Sequence, residues 1–200
     1  MKKRGQLTLF IVLGLIVIII ILFATGLFKG FKKPIPIDDR TEVVKDFVKG
    51  CIELTTKSGL RTMGLSGGLI TVPNDFIPRS SINQFSNSLL LGDNEVMYWY
   101  YKSVNNLDIV NIPEKTLMES QLSSFISENL KNCLNKFERF KYEGYKIQSG
   151  EAKADAKIND KNIGVKVEMP VIVVLNQTSS RVNDFSVDVK SNFGRLYNAA

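Results

Sequence analysis

The sequence predicts an α+β protein in which an N-terminal transmembrane helix is followed by a domain of two packed helices and an antiparallel β-sheet. Three features of the 200-residue chain support this prediction. Residues 5–28 carry no charged side chain, two later segments repeat apolar residues every three or four positions, and the C-terminal half alternates apolar with polar residues. The predicted parts are a basic cytoplasmic tail (1–5), a transmembrane anchor (6–28), a linker (29–39) and an extracytoplasmic domain (40–200).

The anchor is the first predicted element. As a helix that rises about 1.5 Å per residue, the uncharged run can cross a hydrocarbon core of roughly 30 Å. A cleaved secretory signal has a shorter apolar stretch of about 7–15 residues, so we expect an uncleaved single-pass anchor in the lipid bilayer. In the alternative, a signal peptidase would cut near residues 24–26. Basic residues flank the run: Lys2, Lys3, Arg4, Lys29, Lys32 and Lys33.

These flanking residues account for the whole net charge of +6, because no acid occurs among the first 33 residues. From Pro34 onward the chain has 20 acids and 20 bases. Proteins that bind nucleic acid carry a basic surface, so a neutral domain predicts no nucleic-acid partner. The flanking cations instead suit anionic lipid head groups.

The orientation of the anchor follows from its short basic tail. Such a tail stays in the cytoplasm, which places the domain outside the cell. The alternative is a domain that faces the cytosol, and the lysines at positions 29, 32 and 33 favour it. Pro34 and Pro36 restrict the backbone of the linker and separate the anchor from the domain.

The first half of the domain begins with a predicted helix over residues 40–63, whose apolar face includes Val44, Val48 and Cys51. Gly67 and Gly68 predict a tight turn after it. The pattern then predicts a short strand over residues 69–72, a loop over 74–87, a central strand over 95–101 and an irregular stretch over 102–112.

The second half begins with a predicted helix that opens at Pro113, a residue favoured in the first turn. Its apolar stripe runs from Met118 to Phe137. Alternation then predicts strands over residues 152–158 and 163–169 with a hairpin turn over 159–162, and further strands over 171–175 and 184–189. Residues 193–200 read as the beginning of a helix, and one hypothesis is that the domain is truncated at its C-terminus.

The residues that most often carry chemistry are few. The chain has no histidine and two cysteines, which removes histidine-based nucleophile arrangements and a four-ligand zinc site. We expect no cofactor, no metal site and no enzymatic activity. An enzyme with an aspartate- or serine-based site in a cleft is the third hypothesis. The aromatic run 98–101 alternates across a strand, so half of it could pack in the core and half could contact a ligand.

Cys51 and Cys133 lie on the apolar stripes of the two predicted helices. Outside the cell an even number of cysteines favours a disulfide, so this pair is the disulfide candidate. The alternative is two free thiols that pack as small apolar groups. Asn176 begins an Asn-Gln-Thr triplet in a predicted loop, which makes it a candidate for glycosylation.

The N-terminal residues Lys3-Arg4-Gly5-Gln6 and Thr8, followed by the apolar run, resemble the class III signal of archaeal type IV pilin-like proteins. This resemblance implies peptidase cleavage between Gly5 and Gln6. Phe10 stands where pilins usually carry Glu, so we expect the basic leader to stay attached. Segments 47–53, 64–70 and 129–134 resemble uncharacterised single-span surface proteins of small-genome archaea, a resemblance that implies location but no activity.

The expected function is that of a membrane-anchored cell-envelope protein that acts by binding or by structural association. Its expected partners are the lipid bilayer and another envelope protein or a second copy of itself. The alternative is a type IV pilin-like subunit that assembles through its N-terminal helix.

Overall fold

The structure, a computed structural model, describes residues 13–17, 37–71 and 86–200. The chain divides into two units, residues 1–39 and 40–200. Residues 13–17 are helical with exposed side chains, while Gly5, Gln6 and the rest of the predicted anchor lie outside the described residues. Among the residues that the structure describes, no helix is both long and apolar enough to span a membrane.

Helix α1 spans Ile37–Leu65 and confirms the first predicted helix. It begins three residues earlier than predicted, so residues 37–39 of the predicted linker are helical. Its inner face carries Val48, Cys51, Ile52 and Met63, all buried. Burial of this stripe against the rest of the domain stabilises the helix.

The chain leaves α1 through the predicted tight turn, in which Gly67 and Gly68 adopt φ values of +75° and +105°. A Cβ atom on Gly67 would stand 2.7 Å from the carbonyl oxygen of Met97, so only glycine lets these backbones approach. The strand predicted over residues 69–72 is wrong for residues 69–71. The amides of Ile70 and Thr71 donate to the side-chain oxygen of Gln121, 2.7 and 3.1 Å away, instead of to a neighbouring strand.

Two short hairpins follow. The first pairs β1 (Ser88–Leu91) with β2 (Asn94–Met97), and the second pairs β3 (Tyr100–Lys102) with β4 (Asp108–Val110). The single central strand predicted over residues 95–101 is therefore wrong. It breaks at Trp99, whose indole N–H donates to the carbonyl of Gly67 at 2.6 Å. Part of the stretch predicted to be irregular is β4.

Helix α2 spans Lys115–Leu134 and confirms the second predicted helix. It begins two residues after Pro113 and ends before Phe137, because Asn135 takes a left-handed conformation. A 3₁₀ turn (Asn135–Phe137) and the short helix α3 (Glu138–Lys141) follow. Phe137 is buried through this turn and keeps the core role that its spacing predicted.

Helices α1 and α2 pack side by side in antiparallel directions. Phe47 in the first half of α1 contacts Phe137 just beyond the end of α2, with ring centroids 6.0 Å apart. Near the other end, a Cβ atom on Gly59 would stand 2.7 Å from Leu122 and 2.9 Å from Phe125. Glycine at this position allows the two helices to approach closely.

The larger sheet has four antiparallel strands: β5 (Lys146–Ser149), β6 (Lys153–Ile158), β7 (Asn162–Leu175) and β8 (Thr178–Lys190). β7 pairs with β8 along one side, and with β6 and then β5 along the other. The change of partner coincides with a register shift between Glu168 and Val171, where Pro170 lacks an amide donor. The predicted hairpin and antiparallel sheet are confirmed.

The core is one continuous cluster formed by both helices and one face of the sheet. Alternate β7 side chains enter it at Ile163, Val165, Val167, Met169, Val171 and Val173. Helix α4 (Phe193–Ala199) closes the described chain. Its Tyr197 hydroxyl donates to the carbonyl of Pro113 at 3.1 Å, which ties it to the start of α2.

Candidate binding surface

The two cysteines form a disulfide bond that links the two long helices of the domain. Cys51 on α1 and Cys133 on α2 are bonded in a disulfide, with Cα atoms 5.6 Å apart across 82 residues of sequence. This separation lies within the range that a bridge requires, about 4.4–6.8 Å. The bond fixes the two helices against each other and thereby helps to position the chain segments that follow them.

A second link joins α2 to the sheet. Glu119, Ser123 and Ser127 recur every four residues on one side of α2, and their oxygens accept the amide protons of Ile158, Ala156 and Ala154 at 2.8–2.9 Å. Four helical residues rise about 6 Å, and two strand residues rise about 6.6 Å, so the two rows stay in step. These three side chains, here called the edge ladder, satisfy the amide groups that β6 would otherwise leave unpaired.

An open groove of about 500 Å³ runs between α2 and β6, and exposed hydroxyl groups line its rim. The hydroxyl groups at its floor already make hydrogen bonds within the protein. Ser123 donates to the carbonyl of Glu119 at 2.7 Å while accepting the amide of Ala156, and Ser127 is bonded in the same way. These serines therefore act as structural links between helix and strand.

Lys157 is the one cation among the described residues that line this groove, and it is also paired. Its Nζ lies 3.2 Å from Glu119 and 3.8 Å from Asp155. The hydrogen bond to Glu119, assisted by the charges of both carboxylates, raises the pKa of Lys157 above its ordinary value. The ammonium form is favoured, and this form cannot act as a nucleophile or a base.

Several exposed apolar side chains of the described part of the domain are concentrated on and around the two hairpins. Every member of the following group has a large apolar side chain that is more than one third exposed: Leu89, Leu90, Leu91, Tyr100, Val104, Leu107, Val110 and Ile112. We call this group the hairpin surface. Exposed apolar side chains concentrated on one stretch of chain make the hairpins a candidate interaction surface, whereas single exposed leucines carry no such meaning.

The base of the hairpin surface is fixed to the core. Met97, the last residue of β2, is buried, and its amide donates to the carbonyl of Ser66 at 3.4 Å. Trp99 contacts the ring of Tyr197 at 5.9 Å between centroids and bonds to Gly67. The exposed leucines therefore project from an anchored base, which is the arrangement expected of a preformed contact surface.

A polar cluster lies on the second hairpin beside these apolar groups. The carboxylate of Asp108 accepts a hydrogen bond from the hydroxyl of Tyr100 at 2.6 Å and pairs with Lys102 at 3.0 Å. The hydrogen bond from Tyr100, followed by that from Lys102, lowers the pKa of Asp108. The same contact raises the pKa of Tyr100. The cluster holds β3 and β4 in register at their exposed faces.

The predicted site residues fall in three places. Cys51 and Cys133 meet in the disulfide described above. Asn176 lies in the exposed two-residue turn between β7 and β8, where it and Gln177 have positive φ values of 49° and 69°, so the loop predicted for the Asn-Gln-Thr triplet is present. Gly5 and Gln6 lie outside the described residues.

Sequence reasoning missed the edge ladder and the leucines of the first hairpin. The ladder had a signal, because three oxygen-bearing residues recur every four positions beside the apolar stripe of α2. The leucines had one as well, because Leu89, Leu90 and Leu91 are consecutive and cannot all face one side of a strand.

No family model, no curated protein and no solved structure matches this chain.

Proposed function

We propose that this protein is a membrane-anchored cell-envelope protein that acts by binding, and that the hairpin surface is where it contacts its partner. The observation that carries the proposal is the concentration of exposed apolar side chains on two hairpins whose base is buried. The anchor in the proposal rests on the uncharged run of residues 5–28. Binding is favoured over catalysis because the serine hydroxyls at the floor of the groove are hydrogen-bonded within the protein and its lysine is held in the ammonium form.

The partner that fits is another envelope protein with an apolar recess and a basic rim. Leu90 and Leu91 supply the apolar contact, and the exposed Asp93 stands beside them in the turn of the first hairpin. Membrane surfaces rich in anionic lipid repel a carboxylate at this position. A basic rim on a protein attracts it, and electrostatic complementarity of this kind guides association.

The proposal is tested with a photo-crosslinking amino acid at position 90 of the full-length protein in native membranes. We expect a discrete adduct with one envelope protein. Tyr142 is the matched control, because it is 95% exposed but lies away from the hairpins on the residue after α3. Equal labelling from both positions would contradict a specific surface, and an adduct with lipid alone would replace the protein partner by the bilayer.

The location is tested separately by adding protease to intact cells. If the domain is extracytoplasmic, we expect its complete removal while the anchor stays in the membrane. Digestion that occurs only after lysis would place the domain in the cytosol. Glycan on Asn176 would support the outside location.

A pilin-like subunit is the second candidate, and Gly5-Gln6 favours it. The two candidates differ at the N-terminus of the purified protein. We expect mass spectrometry to find the residues before Gln6 still attached, because Phe10 departs from the pilin pattern. A mature protein that begins at Gln6 and co-purifies with filaments would favour the pilin-like function instead.

A further inference from the structure

Helix α1 carries an apolar row on the face that points away from the core. Val43, Leu54 and Leu65 are exposed, Leu54 to the extent of 63%. They are spaced eleven residues apart, which is close to three helical turns, so they lie along one line. The exposed residues Gly50 and Ser58 lie between them, and a Cβ atom on Gly50 would meet nothing within 4 Å. We call these five residues the α1 seam.

The α1 seam is symmetric about Leu54. Val43 and Leu65 are equally far from it in opposite directions, and so are Gly50 and Ser58. If a second identical helix crosses antiparallel at Leu54, Val43 lies opposite Leu65 of the second copy, so apolar residues meet apolar residues. Gly50 and Ser58 lie about 40° to either side of Leu54 around the helix, and their small side chains leave room for the second backbone on both sides of the crossing point. An interface related by a two-fold axis requires this self-complementarity.

The charges beside the α1 seam follow the same rule. Asp46 lies near one end and Arg61 near the other, both exposed and on the same side of the line through Leu54. Within the described domain, Asp46 pairs only with Lys49 at 3.8 Å, and Arg61 has no ion pair among the described residues. In the antiparallel arrangement Asp46 comes within one residue of Arg61 of the second copy. The symmetry forms this ion pair twice.

We propose that a second copy of this chain packs on the α1 seam, antiparallel and with the two-fold axis at Leu54. This inference goes beyond the proposed function, because it concerns a different surface and a different partner. One helix pair is a small interface. Membrane anchoring would confine the copies to one plane and raise their effective concentration, so a small interface suffices.

The first test uses engineered cysteines in the full-length protein in native membranes. Because the native cysteines are bonded to each other, an added cysteine is the only free thiol among the described residues. We expect Leu54→Cys to form a covalent dimer under mild oxidation and Tyr142→Cys to stay monomeric. Val43→Cys alone should also stay monomeric, whereas Val43→Cys mixed with Leu65→Cys should give a mixed dimer.

Each outcome decides one point. A dimer of Val43→Cys alone would overturn the antiparallel direction, since it requires parallel helices. No dimer from Leu54→Cys, or as much dimer from Tyr142→Cys, would overturn the interface. An adduct of Leu54→Cys with a different protein would show that the seam has another partner. None of these results depends on the hairpin surface, so the proposed function is judged separately.

Charge reversal provides a second test that does not introduce a thiol. Asp46→Arg should weaken self-association about tenfold, because two attractive contacts become repulsive. Arg61→Asp should weaken it by a similar factor. The double variant with both changes should restore association, since the opposite charges then face each other again. Failure of this rescue, with both single variants folded, would contradict the predicted pairing.

Discussion

The two hairpins and the four-stranded sheet are both antiparallel β-structure, but they use apolar side chains in opposite ways. In β7 the alternate apolar residues are buried from Ile163 to Val173, while in β1 Leu89, Leu90 and Leu91 are all exposed. The sheet is covered by helices and pairs β7 on both sides. Each hairpin strand pairs with one other strand, and within the described residues no second layer covers the three leucines of β1. Apolar composition therefore predicts burial only where a second layer is present.

The largest expected effect of a mutation lies on the covered side of this comparison. Replacing Cys51 with Ser removes the bond between α1 and α2, and by loop entropy alone the cost is about 4–5 kcal/mol at most. We expect Cys133→Ser to cost about the same. The free energy of unfolding, measured by denaturant titration of the full-length protein in detergent, checks both.

The double variant is the control for this prediction. Because the two sulfurs act as one cross-link, Cys51→Ser combined with Cys133→Ser should be little worse than either single change. Additive losses would indicate that each residue stabilises the protein by packing and not through the bridge. Mapping under non-reducing conditions that finds two free thiols would remove the basis of the prediction.

The contrast between covered and uncovered apolar side chains is tested by the same substitution made once in the core and once on the first hairpin. Leu122 in α2 is 0% exposed and Leu90 in β1 is 56% exposed. Leu122→Ala should destabilise the domain by about 2–5 kcal/mol, because it leaves a cavity in the core. Leu90→Ala should change the free energy of unfolding by less than about 0.5 kcal/mol. A large loss at position 90 would mean that the hairpin leucines are buried in the working protein.

The same contrast explains how much could be predicted from the sequence. Helix α2 and the β6–β7 hairpin follow from spacing alone, since Met118, Leu122 and Ile126 repeat at helical intervals and Ile163, Val165 and Val167 at strand intervals. Residues close together in the sequence determine both the helix and the hairpin. The facing of Cys51 and Cys133 follows from the same stripes, whereas their adjacency depends on how the helices pack.

The hairpin region could not be predicted in this way, because distant contacts decide it. The indole of Trp99 bonds to Gly67, 32 residues earlier, and this contact interrupts what reads as a single aromatic strand. The side chain of Gln121 accepts the amides of Ile70 and Thr71, which lie 51 and 50 residues earlier in the chain, and these bonds prevent the predicted strand there. Such side-chain bonds leave no periodic signal in the local sequence.

A smaller effect is expected at the boundary of the covered region, in the edge ladder. Ser123→Ala removes the oxygen that accepts the amide of Ala156, a residue that is fully buried. An unpaired buried amide costs about 1–3 kcal/mol. Faster hydrogen exchange of the Ala156 amide should accompany this loss.

Ser124→Ala is the matched control, because Ser124 is exposed and makes no side-chain hydrogen bond with the described residues. We expect a change of less than about 0.5 kcal/mol. If the two variants were equally stable, water would be replacing the serine oxygen, and the ladder would not be needed to close the edge of β6.

The smallest expected effect lies on the second hairpin, in the titration of Tyr100. The hydrogen bond to Asp108 raises the pKa of Tyr100 above its ordinary value, because ionisation would place two negative charges side by side. A group whose pKa is raised by folding stabilises the folded state below its ordinary pKa, and this contribution disappears as the pH rises through the folded value. Asp108→Asn should therefore lower the pKa of Tyr100. In a titration of phenolate absorbance, the difference between variant and parent should then appear at lower pH, because the other tyrosines absorb equally in both proteins.

Lys102→Met is the control and should shift the titration less, since the contact between Tyr100 and Asp108 remains. Because Tyr100 is exposed, global stability should not change measurably in either variant. Identical titration curves for Asp108→Asn and the parent would show that the β3–β4 contact does not persist in solution, and the hairpin surface would then lose part of its preformed geometry.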